Sequence, residues 1–105
     1  MEVYKRVIHN RLPGAVGGTS FYGDTIRTTV SKLIGLLGEP NGRKYEKTAY
    51  EWFLETDNET PFDVYDWKVG HEIAVDEEID FHIAARSGAE SSFVTNVLRE
   101  KLTQN

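Results

Sequence analysis

The chain has no cysteine, so disulfides and thiolate metal sites are excluded. It also lacks any apolar run near the ~20 residues needed to cross a bilayer. The opening segment, Met1 to Asn10, has no apolar core of the kind a signal peptide carries. These absences lead us to expect a cytoplasmic protein with no membrane partner. Bases are scarce: 12 Lys and Arg face 17 Asp and Glu, a net charge of −5. They are also scattered, with only Arg43, Lys44 and Lys47 close together. A groove that grips a phosphate backbone needs clustered cations. Direct nucleic-acid binding is therefore disfavoured, and the acidic balance suits a basic partner surface. The three prolines, Pro13, Pro40 and Pro61, all fall in loop or turn contexts. At 105 residues the chain is expected to form one domain, 1–105. Residues 1–18 read as an extended N-terminal segment and 19–105 as the folded core.

What the chain does have is aromatic strand sequence. In Tyr50-Glu51-Trp52-Phe53-Leu54-Glu55, side chains alternate, with Tyr50, Trp52 and Leu54 pointing one way. Residues 62–68 alternate too, with Phe62 and Val64 opposite Tyr65 and Trp67. Asp57 to Pro61 has the length of a hairpin loop. Asp80 to Ala85 reads as a further strand, with Phe81, Ile83 and Ala85 on one face. Val3 to Ile8 is a short β-prone run. Thr19 to Gly23 reads either as a strand or as a turn into a helix.

Ile26, Val30, Leu33, Ile34 and Leu37 recur at helical spacing. Asp24 or Thr28 could cap that helix, and Gly38 with Pro40 would end it. Ser87-Gly88-Ala89-Glu90 matches a capping box. Phe93, Val94, Val97, Leu98 and Leu102 follow it at helical spacing. The expected fold is α+β: a small antiparallel β-sheet covered by two helices, in the order β-α-β-β-β-α.

Candidate chemistry is sparse. The glycine-rich run Gly14 to Ser20 lacks the Lys-Ser/Thr ending of a phosphate loop and reads as a connector. Asp80 and His82 share a strand face, but no second ligand sits at metal-site spacing. His71 with Glu72, Asp76 and Glu78 lacks the order of a calcium loop. No serine lies in a Gly-x-Ser-x-Gly elbow. We therefore assign no catalytic residue, no metal and no cofactor, and expect a binding protein rather than an enzyme. Trp and Tyr most often anchor interfaces. The candidate binding residues are Tyr50, Trp52, Tyr65 and Trp67, the acids Asp57, Glu59, Glu72, Asp76, Glu77 and Glu78, and His82. An edge strand bearing exposed rings tends to be paired or covered, so a homodimer is also expected.

Four motifs together resemble a group of small phage-encoded proteins. They are Gly38-Glu39-Pro40 after a helix, Glu51-Trp52, Val64-Tyr65-Asp66-Trp67-Lys68, and Phe81-His82-Ile83. The likeness covers about residues 19–100. Members of that group carry Trp-His-Ile-Gly-Gly where this chain has Phe81-His82-Ile83-Ala84-Ala85, so no ligand-contacting glycine pair carries over. The resemblance implies a cytosolic protein made during infection of a bacterium. With the negative balance, the aromatic surplus and the lack of a catalytic constellation, that context leads us to expect a host defence protein as partner, bound and inhibited in the manner of an anti-CRISPR protein. The alternative reading is a nucleotide-sequestering protein. It would stack its ligand on Trp52, Trp67 or Tyr65, with the glycine-rich loop and Arg27 or Lys68 near phosphate.

Overall fold

The computed structural model describes residues 3–7, 19–40, 50–56 and 60–103, the first of these stretches as backbone. Among the described residues five strands form one antiparallel sheet: β1 (Val3–Val7), β2 (Ser20–Thr28), β3 (Glu51–Thr56), β4 (Pro61–Tyr65) and β5 (Ile79–Ala85). Their spatial order is β1-β3-β4-β5-β2. Helix α1 (Val30–Leu37) follows β2, and α2 (Gly88–Thr103) follows β5. This is the expected α+β class, with one strand more than the expected order.

That extra strand is β2. Ile26 fits the helical spacing of Val30 and Leu33, but it belongs to β2 and pairs with Phe81. The helix starts only at Val30, and its cap is Thr29 rather than Asp24 or Thr28. Thr29 has extended backbone, and its hydroxyl accepts the Lys32 N–H at 3.1 Å. Gly38 ends α1 as expected: it takes φ +90° and donates its N–H to the Ile34 carbonyl at 2.8 Å.

Register sorts the side chains into two faces. Ile26 lies opposite Phe81, Trp52 opposite Val64, Leu54 opposite Phe62, and Val64 opposite Ile83. Residues directly opposite in a ladder share a face. All seven are buried in one cluster with Val30, Leu33 and Leu37 of α1 and Val94 and Leu98 of α2. Both helices therefore pack on this face. The alternation written into the hairpin is what makes it apolar.

Helix α2 is tied down at its start. Ser87 Oγ accepts the Glu90 N–H at 3.2 Å, one half of the capping box. The Glu90 carboxylate pairs instead with the Arg86 guanidinium, at 2.8 and 2.9 Å. Buried Ser91 donates to Asp24 Oδ2 at 2.6 Å, fixing the helix to β2. Phe93, counted above with the apolar stripe, lies at the surface, and Thr95 is buried in the helix interface instead.

Candidate functional site

The second face of the sheet points away from the helices. Across it run Thr25, His82, Tyr65 and Glu51, and beside them Phe21, Ala84, Asp63 and Phe53. On this outer face four rings form a continuous row. Phe21 stacks flat on His82, with centroids 4.1 Å apart and planes 14° apart. His82 meets Tyr65 edge-on at 5.5 Å, and Tyr65 meets Trp67 edge-on at 6.2 Å. The Lys68 ammonium lies 5.5 Å from the centre of the Trp67 ring.

Local backbone features place the two ends of this row. Between Phe21 and Thr25 the β2–β5 register shifts, and Gly23 there takes φ +96°. Such a bulge re-aims the strand, and glycine adopts that φ without a Cβ clash. At the other end β4 stops at Tyr65, and Lys68 takes φ +50°. A non-glycine residue in that region carries strain of about 1 kcal/mol, and here the strained residue sets the cation beside the indole.

Exposure differs along the row. Phe21 is 43% exposed and Trp67 44%, whereas His82 and Tyr65 are half-buried. The two free rings thus stand at the ends of a partly sunken middle. Burial lowers the His82 pKa, against a smaller opposing effect of Asp80. The ring is accordingly favoured in its neutral form, which suits stacking on Phe21. His82 and Asp80 do share a face, but Asp80 pairs with Arg27 at 3.4 Å.

Next to Tyr65 lies a feature that the sequence reading did not single out. Glu51 and Asp63 are buried on the outer face, at 7% and 8% exposure. Asp63 is pushed up to about 10, first by burial and then by its bond to and charge repulsion from Glu51. Glu51 is also raised, chiefly by burial. Two buried carboxyls side by side resist ionising together, which favours one proton held by the pair. Tyr65 is raised as well, by burial first and then by these two acids. The available signal was alternation: Glu51 and Asp63 lie on neighbouring strands, on the side opposite Trp52 and Val64.

The other predicted residues scatter. Trp52 is fully buried, with its indole N–H donated to the Gly38 carbonyl at 2.8 Å. Tyr50 is half-buried against it at 6.3 Å and donates its backbone N–H to Asp66 Oδ1. Glu72, Asp76 and Glu78 are exposed in the loop before β5. Glu77 is drawn back, accepting from His71 at 2.6 Å and from the Ala74 N–H at 3.3 Å. Asp57 and Glu59 lie outside the described residues. Tyr65, Trp67 and His82 are thus brought together, and Phe21, which was not predicted, completes their row.

No group of three His, Asp or Glu side chains that could hold a metal occurs among the described residues. Among the described residues no helix is long and apolar enough to cross a membrane. Comparison with protein-family models, with curated proteins and with solved structures returned no match.

Proposed function

We propose that the protein is a non-enzymatic binding module that grips another protein through the outer face of its sheet. The carrying observation is the row Phe21–His82–Tyr65–Trp67, with large rings exposed at both ends. Rings held in place by neighbouring rings lose little side-chain freedom on binding, which is why such residues dominate interface energetics. The exposed acids Glu72, Asp76 and Glu78 follow Trp67 closely in sequence and supply a charged surround for a basic partner. The resemblance to phage-encoded proteins supports, as that partner, a component of bacterial antiviral defence, inhibited by occlusion.

Two measurements test this reading. Expressed in a bacterium with an active CRISPR system, the protein should restore phage plating, and Phe21→Ala/Trp67→Ala should not. Affinity capture from the same cells should recover one stoichiometric partner with the parent and lose it with the double variant. Restored plating by the double variant would remove the outer face from the mechanism. Sedimentation over a range of concentrations separates a hetero-complex from self-association.

The nucleotide reading is favoured by one observation, the cation of Lys68 beside the Trp67 ring. A base stacked on Trp67 would place phosphate within reach of that ammonium. Trp52, being sealed, takes no part. Thermal stabilisation by linear or cyclic nucleotides that disappears in Trp67→Ala would favour this reading over the first.

A further inference from the structure

A separate feature lies at the opposite end of β2 from Phe21. There the strand runs out between α1 and the last turns of α2, and a pocket of about 330 Å³ opens. We propose that this pocket binds a small organic anion, a phosphate or carboxylate carried on an apolar body.

The lining carries three cations, Arg27, Lys32 and Arg99, in a chain that has only 12 and a net charge of −5. Each comes from a different element: β2, α1 and α2. Such convergence is a product of the fold and not of a basic run in sequence. Their states suit a ligand. Arg99 donates one N–H to the Thr25 carbonyl at 2.8 Å, which anchors the guanidinium while using one of its five donors. Lys32 has no ion pair among the described residues. Arg27 faces Asp80 at 3.4 Å and Glu78 at 4.0 Å, but all three side chains are more than half exposed. Exposed pairs of that kind contribute little, so a ligand anion can exchange with them.

The walls point to an organic ligand. Ile26 and Leu102 line the pocket beside the cations. Thr28 lines it too, at 2% exposure, and its buried hydroxyl has no hydrogen-bond partner among the described residues. An unsatisfied buried hydroxyl is destabilising, and a bound polar group would relieve that cost. The volume sits at the lower end of small-molecule sites. It accommodates a substituted ring or a mononucleotide-sized anion and not a polymer.

The test is amide NMR of the full chain, titrated with phenyl phosphate, benzoate, inorganic phosphate and phenol. Phenyl phosphate should shift the amides of Arg27, Thr28, Lys32 and Arg99, binding about fivefold or more tighter than inorganic phosphate because of the apolar wall. Phenol should leave them unmoved. Equal binding of benzoate identifies the shared anionic chemistry, and weaker benzoate identifies phosphate. Lys32→Gln, an exposed change that leaves the core intact, should weaken phenyl phosphate about fivefold. The proposal is overturned if phenyl phosphate moves none of these amides at about 10 mM. It is equally overturned if inorganic phosphate binds as well as phenyl phosphate, or if Lys32→Gln binds unchanged. Phe21→Ala/Trp67→Ala should bind as the parent does, which keeps this site distinct from the outer face.

Discussion

Trp52 and Trp67 belong to the same hairpin region and meet opposite ends. Trp52 is on the helix-covered face, packed edge-on against Phe81 and fixed by its bond to Gly38. Trp67, beyond β4, stands out from the other face with Tyr65 edge-on beside it. The covered face is apolar apart from the buried Thr28 and Thr56. The outer face is mixed: rings with exposed ends, and beside them two carboxyls removed from water. One face gives the chain its stability. The other holds groups that stability alone does not call for.

The largest expected effect contrasts the two indoles. Trp52→Ala leaves a cavity in the core and orphans the Gly38 carbonyl, and should cost about 3–5 kcal/mol. That is a large share of the ~5–15 kcal/mol by which small domains are stable. Trp67→Ala should change stability by no more than about 0.5 kcal/mol. Urea unfolding of both variants decides it. A similar loss at Trp67 would mean that the outer face is structural after all.

The acid pair sharpens the comparison, because it is a buried feature on the outer face. Asp63 starts from an ordinary value of 3.8 and is raised to about 10 in the fold. Between those limits the folded chain holds a proton that the unfolded chain has released. Stability from this group is full below the unfolded value and falls as pH rises toward the folded one, by at most ~1.4 kcal/mol per pH unit. Asp63→Asn keeps a donor toward Glu51 and cannot titrate. Its stability relative to the parent should therefore grow between pH 5 and pH 8, reaching a net gain of about 1 kcal/mol or more. Parallel pH profiles for the two proteins would show that the carboxyls do not share a proton. Asp66 also acts on Glu51, raising it through charge, so Asp66→Asn should shift the profile in the same direction by less.

A smaller effect concerns what holds the covering layer in place. Thr29→Ala removes the cap of α1 and should cost about 1 kcal/mol, whereas Ser31→Ala, on the exposed side of the same turn, should be near neutral. Thermal unfolding of the two variants separates them. This cap also marks where the sequence pattern misleads. Period-two alternation was strong in residues 50–56, 62–65 and 80–85, and it placed the core side chains of the hairpin and β5 on the right face. In residues 20–30 the pattern was ambiguous. Ile26 matches both a strand alternating with Thr28 and a helix continuing to Val30, and only pairing with β5 decides between them. The outer face was half legible. Tyr65, Trp67 and His82 could be picked out by residue type, but their partner Phe21 depends on the β2–β5 register. The pairing of Glu51 with Asp63 depends on the hairpin register, and each alone reads as an ordinary surface acid. The anion pocket was illegible for a similar reason, since its cations come from three elements distant in sequence.

The smallest effect lies in the ring row itself. Burial holds the His82 pKa below its ordinary 6.5, and Phe21 is stacked on that ring. A histidine lowered in this way favours folding above its unfolded pKa, and that contribution is lost as pH falls through the folded value. Removing the stacked ring in Phe21→Ala opens the imidazole to water, so the His82 pKa should rise back toward 6.5. Asp80, held across the strand by Arg27, should aid that rise, since its charge already favours the imidazolium. An NMR titration of the His82 ring in parent and variant reads this directly. Coincident curves for His82 would mean that Phe21 does not shield it, and the row would then be a set of neighbours rather than one surface.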